Sequence, residues 1–142
     1  METADQELMR EASIARSQAY APYSNFSVGC ALLLENGVVI RGNNQENAAY
    51  PSGLCAERVA IFAAGANYPG VAMVKMAITA GPVGSKFDKP VPPCGACRQS
   101  MVEYESRQEK SIELFFMGAV GKVARSRSLS DLLPLIFDNK YL

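Results

Sequence analysis

The sequence predicts an α/β protein in which helices pack against a mixed sheet of five strands. Hydrophobic patterns along the 142 residues give the element order α-β-β-α-β-α-β-β-α, which is typical of helices layered on a sheet. An Asn-Gly turn predicts an antiparallel hairpin, and a helix between two later strands favours a parallel pair. The chain contains no repeat or linker, so residues 1–142 are predicted to form one domain.

The first part of the chain is predicted to form a helix and a hairpin. Thr3 and Gln6 have the spacing of a capping box, and apolar residues behind them recur at helical spacing up to Tyr20. The segment "APYSNF" breaks this helix and leads into a strand-like run over 27–34. The Asn-Gly pair of "ENGV" then returns the chain as a second strand over 38–42.

The rest of the chain alternates helices and strands. The predicted elements are a helix over 55–66, a strand over 71–80, a helix over about 95–106 and strands over 111–117 and 122–128. An irregular loop over 43–54 precedes this part, and a Gly/Pro-rich loop over 81–93 interrupts it. Ser130 is predicted to cap a last short helix, "DLLPLIF".

Composition and charge exclude several classes of function. The chain has 14 basic and 14 acidic residues, without the basic surplus typical of proteins that hold a nucleic-acid backbone. No apolar run reaches the ~20 residues that span a membrane, and the polar first residues lack a secretory pattern. We therefore expect a cytoplasmic protein that acts on a small ligand and binds neither nucleic acid nor membranes. The absence of histidine excludes catalytic pairs built on that residue.

Three of the four cysteines lie at predicted helix starts. Cys55 opens the second helix, and Cys94 and Cys97 open the third as a Cys-x-x-Cys pair. That pair alone fits a redox dithiol and a zinc site equally well. Two helix N-termini that meet favour thiolates, however, and three thiolates suit zinc. Cys30 lies within the strand-like run "SVGCALLL", where a small buried apolar residue is a better interpretation than a fourth ligand.

A carboxylate next to these cysteines indicates catalysis. Structural zinc has four protein ligands, whereas catalytic zinc keeps one position for water. Glu57 follows Cys55 by two residues, which places it to take a proton from that water. Arg58 is predicted to donate to thiolate sulfurs and reduce their negative charge. For Arg98 and Gln99, a surface role and a role beside the site both stay open.

The stretches "CAERVAI" and "PCGACRQ" resemble the two signatures of the homotetrameric, three-cysteine cytidine deaminases. The similarity continues through "AYAPYSNFSVG", "NNQENAAY" and "LLPLIF", and so covers most of the chain. It implies a three-layer α-β-α sandwich with a mixed five-stranded sheet and a Zn²⁺ cofactor. It also implies hydrolytic deamination of cytidine and deoxycytidine in pyrimidine salvage, by a homotetramer whose sites are shared between subunits.

The resemblance also implies roles for individual residues. Asn44 and Glu46 match the residues whose side chains bind the ribose hydroxyls in that family. Phe26 matches the aromatic residue that lines the base pocket, and the backbone of Ala56 would contact the pyrimidine. Phe137 matches a phenylalanine that reaches into a neighbouring subunit's site.

Three alternatives stay open at this point. One is deamination of another aminopyrimidine nucleoside, such as blasticidin S. A second, from a different class, is a structural-zinc or redox protein that uses the Cys94 and Cys97 pair as a dithiol and has no need of Glu57. A third, deamination of a nucleic acid, is disfavoured by the zero net charge.

Overall fold

The structure, a computed structural model, describes residues 1–142 and contains one mixed sheet covered by helices on both faces. Helices α1, α2 and α3 span Thr3–Arg16, Ala56–Asn67 and Gly95–Arg107. Strands β1 to β5 span Phe26–Leu34, Val39–Asn43, Met73–Pro82, Glu113–Met117 and Ala124–Ser126, and lie in the order β2-β1-β3-β4-β5. The predicted fold class is therefore confirmed. None of the helices has the length and apolar character that a membrane span requires.

The predicted strand directions are also correct. β1 pairs antiparallel with β2, and β3 pairs parallel with β4 across the connection through α3. In the hairpin, Leu34 N donates to Val38 O over 2.9 Å. Gly37 adopts a left-handed conformation with φ of 86°, whereas Asn36 does not. The Asn-Gly turn thus has one left-handed residue, its glycine, whereas a type I′ turn would have two.

Alternate strand residues enter two separate cores, one on each face of the sheet. Cys30 and Leu32 of β1 pack in the larger core with α2 and α3. Ala31, between them, packs on the opposite face with Leu8 of α1 and Phe115 of β4. Because successive side chains of a strand point to opposite faces, this alternation gives the α-β-α sandwich that the resemblance implied.

A glycine in β2 sets how closely α2 approaches the sheet. A Cβ atom on Gly42 would lie 2.4 Å from the carbonyl oxygen of Ala56 and 2.9 Å from the backbone nitrogen of Ala60. Real Cβ atoms do not approach backbone this closely, so only glycine fits at this position. The first turn of α2, and therefore Cys55 before it, is held directly against the sheet.

Both ends of α1 differ from the prediction. Glu2 occupies the N-cap position without a side-chain cap, and Thr3 is already helical, so no capping box forms. The helix ends at Arg16 rather than Tyr20. Tyr20 is instead held by the predicted loop, because its N–H donates to Asn44 O and its carbonyl accepts from Glu46 N. Contacts with a distant segment override the helical pattern there.

The predicted C-terminal helix is wrong. Residues after β5 form only two short 3₁₀ turns, Ser130–Leu132 and Asn139–Tyr141. Pro134 disfavours a helix here, because it has no N–H to donate and its ring would clash with the preceding turn of a helix. Ser130 does not cap a helix, since both its N–H and its hydroxyl donate to the carboxylate of Glu105, in α3.

Candidate active site

The N-termini of α2 and α3 meet at a cluster of three sulfur atoms. Cys55 and Cys94 are the N-cap residues of these helices, and both have extended backbones. The Sγ atoms of Cys55, Cys94 and Cys97 all lie within 4.8 Å of one another. The structure thus brings together the three cysteines predicted from the sequence. Cys30 is fully buried in β1 and is not part of the cluster.

The donor set of this cluster fits zinc. Cys55 Sγ and Cys94 Sγ are 3.8 Å apart, and two thiolates bound to a tetrahedral zinc ion at about 2.3 Å lie at about that separation. No carboxylate or further cysteine contributes a fourth ligand atom to the group. Three protein ligands are typical of catalytic zinc, which keeps its last position for water or substrate.

Neighbouring groups shift the pKa values of Cys55 and Cys97 in opposite directions. The pKa of Cys55 is lowered to about 5, chiefly by a hydrogen bond with Cys97. Arg58 adds to this effect, because its Nη2 donates to Cys55 Sγ over 3.4 Å. The pKa of Cys97 is raised by the same hydrogen bond with Cys55 and by burial. Binding of zinc would release the thiol protons, because cysteine binds the metal as a thiolate.

Glu57 is a buried carboxyl group next to the sulfur cluster. It lies in the first turn of α2, and only 4% of it is exposed. Burial raises its pKa to about 7; the charge of Cys55 acts in the same direction and that of Arg58 against it. A first-turn acid that only stabilised the helix dipole would remain in water. A carboxyl group that titrates near neutral pH suits proton transfer.

One cavity of about 660 Å³ adjoins these groups. The predicted site residues that line it are Phe26, Asn44, Glu46, Cys55, Glu57, Arg58 and Cys94. Residues from β1, β3, the first turn of α2 and the connecting loops therefore converge on one concave site. Its volume is in the range of small-molecule pockets.

Comparisons with known proteins identify the family. A family model described as the cytidine and deoxycytidylate deaminase zinc-binding region matches residues 2–111. The chain belongs to this deaminase family. Its members are hydrolases that act on C–N bonds, and the cluster of Cys55, Cys94 and Cys97 agrees with the zinc-binding region that the family model describes.

Individual relatives support this assignment over most of the chain. The cytidine deaminase of Halalkalibacterium halodurans is 42% identical over 132 residues, which cover 93% of this chain and 92% of that protein. The cytidine deaminase of Sporosarcina psychrophila is 39% identical and covers 96% and 93%. A crystal structure of cytidine deaminase from Burkholderia pseudomallei superposes with a TM-score of 0.80 at 40% identity, covering 96% of this chain and 100% of the other.

Within this deaminase, Asn44 and Glu46 already have partners in the protein. Asn44 Oδ1 accepts from Val28 N and its Nδ2 donates to Phe26 O, both over 2.9 Å. Glu46 accepts three hydrogen bonds from the turn that precedes β1, and these lower its pKa. Each side chain therefore positions part of the cavity wall in addition to any contact with a ligand.

The predicted site residues that do not line this chain's cavity are Cys97, Ala56 and Phe137. Ala56, the first residue of α2, is fully buried beside the cavity without lining it. Phe137 is 58% exposed, and its ring stacks on Tyr141 with centroids 5.5 Å apart. The structure thus assigns Phe137 no contact with its own chain's cavity.

Arg98 and Gln99 hold the C-terminal segment rather than the sulfur atoms. Arg98 Nε donates to Pro93 O over 2.8 Å, and its Nη1 donates to Leu132 O over 3.2 Å. Gln99 Nε2 donates to Phe137 O over 2.8 Å. These contacts fasten the irregular C-terminus to the first turns of α3.

Among the cavity-lining residues that sequence reasoning missed are two tyrosines and a serine. Tyr23, Ser24 and Tyr50 all contribute to the cavity wall, and the rings of the two tyrosines meet edge to face with centroids 5.8 Å apart. Ser24 and Tyr50 lie within "AYAPYSNFSVG" and "NNQENAAY", stretches that carry the family resemblance. Their place in these two stretches was the only signal in the sequence. No local pattern indicates that the two stretches contact each other in the fold.

Proposed function

We propose that this protein is a zinc-dependent cytidine deaminase, which hydrolyses cytidine and deoxycytidine to uridine and deoxyuridine in pyrimidine salvage. The observation that carries the proposal is the arrangement of three converging sulfur atoms, with no fourth protein ligand, beside the buried carboxyl group of Glu57. A structural-zinc or redox site needs no such carboxyl group. The relatives named above, which match nearly the whole chain, are cytidine deaminases.

In the proposed mechanism, Cys55, Cys94 and Cys97 hold the metal and Glu57 moves the protons. Zinc, when bound, supplies a water molecule activated for attack at neutral pH. Glu57 takes a proton at its carboxylate and delivers it to ring N3, which makes C4 electrophilic. The first proton comes from the attacking water, whose oxygen bonds to C4. Glu57 then takes the remaining proton from that oxygen and delivers it to the amino group, so that the C4–N bond breaks, ammonia leaves and a C4 carbonyl remains. Arg58 donates to Cys55 Sγ over 3.4 Å, which offsets part of the thiolate charge.

The other cavity residues recognise the nucleoside in this proposal. Phe26 packs against the pyrimidine, and the backbone of Ala56 contacts it. Asn44 and Glu46 bind sugar hydroxyls, and an ionised Glu46 requires a hydroxyl that donates. Binding energy from the sugar positions the reacting base, so free cytosine should react more slowly than cytidine.

We further propose that the enzyme is a cytoplasmic homotetramer in which Phe137 completes a neighbouring subunit's site. Phe137, Tyr141 and Leu142 are 58%, 69% and 97% exposed in the single chain. Apolar groups exposed together mark surfaces that associate with other chains. The partners of each subunit are then other copies of this chain, a nucleoside and water.

The test is an ultraviolet absorbance assay with cytidine, deoxycytidine, adenosine and blasticidin S offered separately, together with a zinc determination. We expect about one zinc per chain and turnover of the first two nucleosides. Adenosine should not react, because a purine is too large for the proposed base site beside Phe26. Turnover of blasticidin S alone would favour the rival enzyme. Full zinc without any deamination would favour a structural site.

A further inference from the structure

Ser24 connects two residues of the proposed nucleoside site. Its hydroxyl donates to Glu46 Oε2 over 2.5 Å and accepts from the backbone N–H of Phe26 over 3.1 Å. The backbone N–H groups of Tyr23 and Ser24 donate to Glu46 Oε1 over 2.9 and 3.1 Å. The proposed sugar-binding carboxylate is therefore oriented by a turn that is 22 residues distant in the sequence.

This turn contains a residue with a strained backbone, which contacts with neighbouring segments maintain. Asn25 is the one residue other than glycine with a left-handed backbone, with φ of 52°. Such a conformation costs free energy and persists only where the surrounding contacts maintain it. Asn25 N donates to Ala21 O, and Asn25 O accepts from Val83 N. The chain thereby turns so that Ser24 contacts Glu46 while Phe26 enters β1.

Counting acceptor positions shows where a sugar hydroxyl can bind Glu46. An ionised carboxylate has about four lone-pair positions. The two on Oε1 are used by Tyr23 and Ser24, and one on Oε2 is used by the Ser24 hydroxyl. The position that stays available is on Oε2, the atom that Ser24 already contacts. A ligand hydroxyl that donates to Glu46 therefore binds next to Ser24.

We infer that Ser24 is a positioning residue for sugar recognition, which sets the orientation of Glu46 and joins it to Phe26. This inference rests on the proposed function, since it requires that Glu46 reads the sugar. Ser24 itself takes no part in proton transfer. Its loss is therefore expected to weaken recognition of the sugar through Glu46 more than it affects the reaction of the base.

The first experiment compares Ser24→Ala with the wild type on cytidine and on free cytosine. We expect KM for cytidine to rise about tenfold, the effect of losing one hydrogen bond to a charged group, and the slow rate on cytosine to fall by a much smaller factor. The dissociation constant of uridine, measured by calorimetry, should rise by the same factor. Ser24→Thr keeps the hydroxyl and should restore both values. Ser17→Ala is the control, because its hydroxyl bonds only Ile14 O, outside the cavity.

The second experiment is a double-mutant cycle with Glu46→Gln. If Ser24 acts through Glu46, then Ser24→Ala should add little to the effect of Glu46→Gln on cytidine. Additive effects, or equal losses on cytidine and cytosine, would overturn the inference. Should Ser24→Ala fail to fold, Ser24→Cys keeps the size and replaces the hydroxyl with a weaker donor.

The two proposals fail in different ways. A wild-type protein that does not deaminate cytidine contradicts the proposed function. A wild type that is active, with Glu46→Gln impaired and Ser24→Ala unaffected, contradicts only the role of Ser24.

Discussion

Single side chains in the site owe their chemistry to what surrounds them. Glu57 would be an ordinary helix-start acid in water, but burial raises its pKa to about 7. Glu46 is also a carboxylate, yet its pKa is lowered, mainly because the Ser24 hydroxyl donates to it. The two carboxyl groups in one cavity are therefore suited to different tasks, one to exchanging protons and the other to accepting hydrogen bonds.

The residue-scale prediction concerns Glu57→Gln. The amide has nearly the same shape but cannot carry the proton, so the variant should keep its zinc and its fold while kcat falls by about 10²–10⁴-fold. Steady-state absorbance with cytidine measures the fall in kcat, and zinc analysis measures the retention of the metal. Glu103→Gln is the matched control, because Glu103 is exposed on α3. Near wild-type turnover by Glu57→Gln would falsify the proton-transfer role.

At the scale of elements, the site depends on where two helices begin. α2 and α3 each have a cysteine as the N-cap residue, and both pack on the same face of the sheet in the larger core. The approach of α2 is set by Gly42, and the end of α3 is fastened by Glu105. Small errors in either contact move sulfur atoms relative to one another, and a zinc site tolerates only a few tenths of an ångström.

Gly42→Ala should therefore disturb the metal site, although residue 42 is not one of the proposed metal ligands. The new methyl group would meet the backbone of α2 at 2.4 Å, so the helix and Cys55 must shift. We expect a loss of zinc, measured by metal analysis after dialysis, and lower thermal stability. Gly95→Ala is the control: Gly95 lies between Cys94 and Cys97 in sequence, yet a Cβ there meets no atom within 4 Å. The idea fails if Gly95→Ala loses zinc and Gly42→Ala retains it.

Glu105 fastens the C-terminal part of the chain to α3. Its Oε2 accepts from Ile112 N and Leu129 N, and its Oε1 accepts from the Ser128 hydroxyl and from Ser130. Burial alone would raise its pKa, but these donors lower it overall. The ionised carboxylate is therefore the form that the folded protein stabilises.

Glu105→Gln should lower the free energy of unfolding at pH 7 by on the order of 2 kcal/mol, because hydrogen bonds to a charged acceptor are lost. A group with a lowered pKa stabilises the fold above its unfolded pKa, and this contribution disappears as pH falls through its folded pKa. The difference between variant and wild type should thus shrink below about pH 4.5. Denaturant titrations across pH measure it, with exposed Glu109→Gln as the control. A difference that stays constant with pH would contradict this account.

At the scale of the whole molecule, the C-terminal segment enters the larger core at Leu129 and then leaves the last residues of the chain exposed. The segment beyond β5 forms short turns rather than a helix, and it ends in exposed aromatic and aliphatic side chains. Gln99 and Arg98 nevertheless hold this segment against α3, close to the sulfur cluster in sequence and in space. A surface of this kind, fixed but apolar, is suited to contact with another copy of the chain.

The prediction at this scale is complementation between two inactive chains. Glu57→Gln lacks its own proton carrier, whereas Phe137→Ala lacks the ring proposed to act in a neighbouring site. Mixed tetramers should contain some sites with an intact Glu57 and an intact Phe137, and so regain part of the activity. A mixture of Glu57→Gln with Cys94→Ala is the control, because neither chain then holds a complete set of its own site residues. Mixed assembly without regained activity, or a fully active monomer by light scattering, would contradict the proposal.

The sequence alone determined the order of the first three helices and the five strands, and the three metal-binding candidates. These depend on local patterns: the Asn-Gly turn, the apolar periodicity, and cysteines placed at helix starts. Glu57 and Arg58 were predictable for the same reason, since they follow Cys55 by two and three residues. Asn44, Glu46 and Phe26 were found through the family resemblance and not through any local rule.

Only the tertiary structure decided the contacts between distant segments. Tyr20 leaves its helical pattern because it pairs with loop residues after β2, and Ser130 bonds Glu105 instead of capping a helix. Ser24 meets Glu46 because the left-handed turn at Asn25 folds one loop onto another. Helix and strand periodicity describe each segment with respect to its own axis. Which side chains of separate segments meet follows from packing on both faces of the sheet, and no local pattern contains that information.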